Sequence, residues 1–459
     1  MTKLKHLAHL AHVVRAAALA LLPLAAAFPA AAADTDAIGV ATRILFVGNS
    51  YTFGRVDPVM SYNAANVHDL TAAFNATSPA GTNSYPIGTV GFGSFEQHPW
   101  GGVPGVFKKM TDQAGLNYDV SLSTRNAATL RGQFLNTANA TWDLRGNVAS
   151  QSWDSVVLQA QSDEPLPVGK GKNANPTAFT AYATQFEKFI HTGTVAGTVS
   201  GNTVAYTETQ LYGSLALCQA TGQTTTQCGT NRTITKNANF NANTKVYVEE
   251  TWARPDMVEA HKVTTPDLTT TNGAPIVDTS GGASGTASTL YYTGAATTAA
   301  NLAAMTADMH AAFYGLAAAN SGITGVIPVG DAFQRAVDQG LVLTGGFYKA
   351  DGTYVEPTAG SINLWWLDRT HASVYGSYLS ALTTFGRITG LDPRSLGGAE
   401  TAGIELGLTS AIVQTLEEVA AQQLGFAAAV PETATSALTG LGLGALAVLA
   451  GVKRARVQG

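Results

Sequence analysis

The sequence predicts an α/β protein: a three-layer α/β/α sandwich built on a mainly parallel sheet, with loop insertions. Three observations lead there. Short apolar runs without alternation recur along the chain, as in strands buried on both faces. Apolar stripes at helical spacing lie between them, giving the strand–helix alternation of α/β folds. Of the 459 residues 45% are hydrophobic and 12% charged. That supplies a large core and about half the ~25% charge of ordinary soluble chains.

The buried strands are read at Ile44-Leu45-Phe46-Val47, Val156-Val157-Leu158, Val246-Tyr247-Val248 and Ile323 to Val329. Tyr118, Val120 and Leu122 alternate with polar residues, the pattern of a more exposed strand. Val103, Val106, Phe107, Met110 and Ala114 share one helical face, and Gly115 suits the position after the helix. Val374, Tyr378, Leu382, Phe385 and Ile388 form a second stripe, closed by Gly390 and Pro393. A third runs through Ile404, Leu408, Ile412, Leu416 and Val419. The turn-rich stretches near 55–102 and 192–300 read as insertions into a single domain over 34–427, and no fixed-period repeat is evident.

The two ends read as targeting segments. Residues 1–33 carry Lys3, Lys5 and Arg15, then an uncharged Ala/Leu run, then Ala31-Ala32-Ala33 before Asp34. That is the layout of a secretory signal peptide with its small-residue cleavage site. Residues 428–459 hold Pro431-Glu432, an uncharged stretch Thr433 to Val452, and the basic cluster Lys453-Arg454-Ala455-Arg456. Twenty uncharged residues suffice for a transmembrane helix over 433–452, with the basic end cytoplasmic. This tail resembles the PEP-CTERM sorting signal of Gram-negative bacteria, with Thr433 where that family usually has a second Pro. The resemblance implies removal by a membrane sorting protease. The expected location is therefore outside the inner membrane, with transient anchoring through the tail.

Charge excludes one class of partner. Six of the 26 basic residues lie in the first 33 and last seven positions, which hold no acid. The remainder carries 20 basic residues against 31 acidic ones. Such a chain lacks the basic footprint that phosphate backbones require, so no nucleic-acid partner is expected. Cys218 and Cys228, ten positions apart, are expected to form a local disulfide in an exported protein. Outside the signal the histidines are His68, His98, His191, His261, His310 and His371, and no two have metal-ligand spacing on one helix. No metal and no cofactor are expected.

Two short stretches carry chemistry. The first strand runs into Val47-Gly48-Asn49-Ser50-Tyr51-Thr52, which sets a Ser at the carboxyl edge of a parallel sheet, where such folds place ligands. Asp368-Arg369-Thr370-His371 precedes a helix. An Asp and a His three residues apart in one loop can serve a Ser together: the imidazole takes its proton while the carboxylate orients the ring. Asp331 is a rival acid, about forty residues from His371, and reads better as a loop or helix cap.

A strand-terminal Ser early in the chain and an Asp-x-x-His late in it form the order of the SGNH/GDSL hydrolases. Gly48-Asn49-Ser50 resembles the first block of that family, in the branch with Asn where Asp is usual. Asp368 and His371 resemble the last block. Asn126-Ala127-Ala128-Thr129-Leu130 falls where the family has a Gly whose N–H enters the oxyanion hole, and Ala127 takes that place. Trp153 to Ser162 resembles the third block, whose usual Asn amide also faces the oxyanion. Asp163 falls in that column, but a carboxylate would repel an oxyanion. Gln161 is the better donor, with Gln159 as the alternative. Thr251-Trp252 and Pro328-Val329-Gly330-Asp331-Ala332 also resemble this branch, and the likeness spans about Arg43 to Pro393.

The resemblance implies an SGNH/flavodoxin-like fold and a secreted serine esterase. Ser50 is the expected nucleophile, His371 the base and Asp368 its orienting acid. Ser50, Ala127 and Gln161 form the expected oxyanion hole. The expected substrate is a carboxylic ester, such as an acetyl ester on extracellular polysaccharide. The alternative is a non-catalytic carbohydrate-binding or matrix protein on the same scaffold, which the missing third-block Asn motivates.

Overall fold

Six parallel strands form the centre of the chain in a computed structural model, which describes residues 39–55, 57–72, 99–137, 143–263, 286–349, 355, 361–366 and 368–427. The signal peptide over 1–33 and the sorting tail with its helix over 433–452 lie outside the described residues. Among those described, no helix is long and apolar enough to cross a membrane.

The strands are β1 (Thr42–Gly48), β2 (His68–Asp69), β3 (Tyr118–Thr124), β4 (Ser155–Gln159), β5 (Thr198–Ser200), β6 (Thr203–Tyr206), β7 (Arg232–Thr235), β8 (Lys245–Glu249), β9 (Lys262–Val263), β10 (Thr286–Ala287) and β11 (Ile323–Ile327). The central sheet has the order β11-β8-β4-β1-β3-β2, and every neighbouring pair is parallel. Setting aside the two-residue edge strand β2, the five longer strands follow the flavodoxin-like order 2-1-3-4-5. The chain moves from β1 to β3 in one direction, then returns past β1 to β4 and on to β8. Right-handed crossovers therefore put the helix Gly102–Gln113 on one face and the helix Pro176–Thr192 on the other. Val374–Thr389 packs on the first of these helices. Phe313 of the helix Thr298–Ala319 meets Phe179 of the second, with ring centroids 4.9 Å apart. The result is the expected three-layer sandwich.

The apolar runs explain the strands: Ile44, Leu45, Phe46 and Val47 are all fully buried, as are Val246 and Val248. The helix Val374–Thr389 ends on Gly390 at φ 71°, a conformation glycine adopts without a Cβ penalty. Three expectations need correction. β3 is buried rather than exposed: the positions alternating with Tyr118, Val120 and Leu122 include the small residues Ser121 and Ser123, both buried, and β2 pairs along its far edge. The third helical stripe is two helices, Thr401–Glu405 and Ser410–Gln423, because Gly407 turns at φ 88° and Thr409 caps a new start. Ile404 is consequently exposed. The last strand stops at Ile327, since Pro328 precedes the helix Val329–Asp338.

The stretch after Thr192 is more ordered than a loop. β5, β6 and β7 pair antiparallel into a three-stranded sheet. Short helices Leu215–Ala220 and Thr225–Gly229 follow, and the Cys218–Cys228 disulfide joins them. Both cysteines are fully buried. Beneath this insertion the buried Glu208 binds Arg131 at 2.6 Å, Arg232 at 2.6 Å and the Tyr182 hydroxyl at 2.6 Å.

Candidate active site

The direction of the chain changes at β1, between β3 and β4, and open α/β sheets bind ligands outside the carboxyl ends of the strands at such a switch point. Gly48 ends β1 there. A Cβ on Gly48 would lie 2.1 Å from Thr52 Oγ1 and 2.7 Å from Gln159 Oε1, so only glycine fits. Asn49 caps the short helix Ser50–Phe53 by accepting a hydrogen bond from the Tyr51 N–H. Its amide also donates to the carbonyls of Ala128 at 3.3 Å and Ala160 at 3.2 Å. One carboxamide thus ties together the loops that follow β1, β3 and β4. An Asp cannot make those two donations.

Ser50 opens that helix and is buried. Its Oγ lies 2.8 Å from His371 Nε2. His371 Nδ1 lies 2.5 Å from Asp368 Oδ2. Asp368 Oδ1 accepts the backbone N–H groups of Thr370 at 3.0 Å and His371 at 2.9 Å. Burial opposes the charge of Asp368, but His371 and these hydrogen bonds prevail and hold its carboxyl well below the usual carboxylate range. Arg369, between them, takes φ 57°, which lets Asp368 and His371 turn toward each other. Its guanidinium is fully buried and bonds the Trp366 and Val355 carbonyls.

The loop is held from outside by residues that sequence reasoning did not assign a role. The Thr370 carbonyl accepts from the Tyr51 hydroxyl at 2.8 Å and from Trp252 Nε1 at 3.1 Å. Arg254 donates to Thr370 Oγ1 at 3.1 Å, to Ser162 Oγ at 2.8 Å and to Asp256. The one signal for them was the Thr251-Trp252 pair at the end of a buried strand.

Ala127 sits at φ 54° after β3, a left-handed conformation that costs a residue with a Cβ about 1–2 kcal/mol. It is exposed, and among the described residues its N–H and that of Ser50 meet no recorded acceptor. The three candidates from the third block fare differently. Gln159 is fully buried under the Ser50 loop: its Oε1 accepts from Asn49 N at 2.9 Å and Thr52 Oγ1 at 3.0 Å, and its Nε2 donates to the Ala160 carbonyl. Its polar atoms are taken up by the scaffold. Asp163 is also buried and accepts the Asn173 N–H and amide. Burial works against its charge, while Arg254, 3.9 Å away, and the Asn173 hydrogen bonds keep its carboxyl below the ordinary range. Gln161 is only half-buried; its Nε2 donates to Ser162 Oγ at 3.1 Å and its Oε1 accepts the Asp163 N–H. Asp331 is far from the triad loop in role: it lies in the first turn of the helix Val329–Asp338 and pairs with His310.

A cleft of about 570 Å³ opens beside Asp368 and Thr370, with Lys172, Asn173, His261 and Tyr291 on its walls. The chain lacks a match to any protein-family model and to any curated protein sequence. Among solved structures it is similar to a DUF4886 family protein from Bacteroides uniformis, at 12% identity and TM-score 0.37, over 84% of this chain and 95% of that one. It is also similar to a protein from Slackia heliotrinireducens described as a candidate SGNH hydrolase, at 14% identity and TM-score 0.31, over 76% of this chain and 100% of that one.

Proposed function

We propose that the protein is a serine hydrolase of the SGNH type that cleaves carboxylic esters. The observation that carries the reading is the unbroken hydrogen-bonded line from Asp368 through His371 to Ser50, at the sheet's switch point. Ser50 Oγ attacks the ester carbonyl carbon while His371 Nε2 takes its proton. The ionised Asp368 fixes the ring so that Nε2 faces the hydroxyl and stabilises the imidazolium that forms. The N–H groups of Ser50 and Ala127 receive the tetrahedral oxyanion, and the Gln161 amide is the third donor once it turns from Ser162. The carbon–oxygen bond of the ester then breaks, and the departing alcohol takes the proton from His371. Water repeats the sequence on the acyl-serine: His371 removes its proton, the hydroxide attacks, and Ser50 is regenerated with release of the acid.

The proposed substrate carries a short acyl group on a hydroxyl-rich alcohol, such as an acetylated polysaccharide. The Cys218–Cys228 disulfide supports a protein that works in an oxidising compartment outside the cytoplasm. The test is hydrolysis of p-nitrophenyl acetate and of longer acyl esters by the wild type and by Ser50→Ala. Turnover that falls with acyl length and disappears in Ser50→Ala supports the proposal. Equal turnover in Ser50→Ala, or none in the wild type, overturns it.

A further inference from the structure

Past the carboxyl ends of β8 and β11, three metal-ligating side chains from three elements converge. Glu250 follows β8, His310 lies on the helix Thr298–Ala319, and Asp331 opens the helix Val329–Asp338. One donor atom from each lies within 4.8 Å of the others. His310 Nδ1 and Asp331 Oδ2 are 2.9 Å apart. Glu250 is fully buried; its Oε2 accepts the Asp331 N–H at 3.1 Å. Its other oxygen, Oε1, is buried without a hydrogen-bond partner. A buried carboxylate oxygen left without a donor is costly, and two facing carboxylates repel. A divalent cation removes both costs at once.

We propose that Glu250, His310 and Asp331 form a binding site for a divalent transition-metal cation of the zinc type. One imidazole and two carboxylates with positions left open to solvent is a donor set that suits zinc. His310 is exposed and stacks on Tyr314 with ring centroids 4.0 Å apart, and binding an ion would draw its ring toward a bond of about 2.0–2.1 Å. The way in is a cavity of about 410 Å³ lined by His310, Asp331 and Gln423. Gln423 Nε2 sits 3.4 Å from Asp331 Oδ2, the kind of outer contact that orients a ligating carboxylate. The bound ion links the end of β8 to the helices Thr298–Ala319 and Val329–Asp338. It lies two residues from Trp252, whose indole holds the loop of His371, so its role is to brace the domain and takes no part in the ester chemistry.

The experiment uses the purified full chain, stripped with a chelator and titrated with ZnCl₂ by calorimetry, with thermal unfolding followed in parallel. One equivalent is expected to bind and to raise the Tm. His310→Ala, which alters an exposed side chain, is expected to keep the Tm of the stripped wild type but bind at least 10-fold more weakly. Glu250→Gln is expected to abolish the zinc-dependent rise. His68→Ala, which removes an exposed His–Asp pair elsewhere, is expected to bind like the wild type. Absence of stoichiometric binding by the stripped wild type, unchanged binding in His310→Ala, or equal weakening in His68→Ala overturns the site. Because binding and Tm are read without substrate, the result is independent of the esterase reading.

Discussion

The ring of Tyr51 lies flat on that of Trp252, with centroids 4.0 Å apart and planes inclined by 7°, and both aim a polar hydrogen at the carbonyl of Thr370. The residue after Ser50 therefore grips the residue before His371. Phe333 stacks on the other side of Trp252 at 4.9 Å, so the indole has little freedom to move. Removing either grip should let His371 drift. Tyr51→Phe and Trp252→Phe are each expected to lower kcat on an acyl ester about 10-fold with KM little changed, since a small misplacement of a catalytic group is enough for such losses. The double variant should lose more than the product of the two. Additive behaviour in a double-mutant cycle would show that the two bonds act independently.

Asn49→Asp exchanges the amide for a carboxylate of nearly the same shape, yet it should do harm. The carboxylate loses two donations and faces the carbonyls of Ala128 and Ala160. A stability loss of about 1–3 kcal/mol is expected in urea unfolding, together with a marked fall in kcat. A variant as stable and as active as the wild type would refute the bridging role of the amide.

The two glutamines should separate scaffold from chemistry. Gln161→Ala is expected to reduce kcat about 100-fold with stability unchanged, as for the loss of an oxyanion donor. Gln159→Ala leaves the buried Asn49 N–H and Thr52 hydroxyl without an acceptor, so it should lower stability by about 1–3 kcal/mol. The converse pattern, with Gln159→Ala stable and Gln161→Ala unfolded, would reverse the assignment.

Ala127 provides a test of backbone geometry. Ala127→Gly should keep the N–H in place and remain active. Ala127→Val puts a β-branched side chain at φ 54°, where it is strained by about 1–3 kcal/mol, and should lower both kcat and Tm. Full activity in the Val variant would remove the Ala127 N–H from the oxyanion hole.

Acid stability should depend on Glu208. Burial alone would raise its carboxyl, but hydrogen bonds from Arg131, Tyr182 and Arg232 bring it down to about 2. The unfolded value is near ~4.3, so the unfolded chain binds the proton first as pH falls. Glu208 therefore contributes fully above about pH 4.3, and its contribution is lost as pH falls through about 2. Glu208→Gln should cost about 2–3 kcal/mol at pH 7, and the difference from wild type should vanish near pH 2. A constant difference across that range in urea melts would assign the loss to packing instead.

Much of this was legible because burial writes itself into composition. The runs at Ile44, Val156 and Val246 suit strands covered on both faces, and Gly48-Asn49-Ser50 after the first of them sets a Ser at the sheet's edge. The order of Ser50, Asp368 and His371 led to the expectation that the three side chains meet, and they lie in hydrogen-bond contact. What stayed hidden depends on contacts between residues far apart in the chain. Nothing local distinguishes the amide of Asn49 as a bridge, or Gln159 from Gln161, because their roles depend on which carbonyl each amide reaches. Tyr51 and Trp252 are about two hundred positions apart, and their stack exists only once β1 and β8 share a sheet. β3 was misread because its second face is buried through small hydroxyl side chains, which look like solvent-facing ones in a sequence.

Ser50 and His371 are separated by 321 positions. On a ribosome adding about 5–20 residues per second, Ser50 emerges roughly 15–65 s before His371. Throughout that interval Ser50 lacks its partner His371, so under the proposed function a nascent or truncated chain would be chemically silent however well its first strands have paired. Under the same proposal, activity would begin only when the loop of Thr370 docks against Tyr51 and Trp252, and the first turnover would report that the whole domain has assembled.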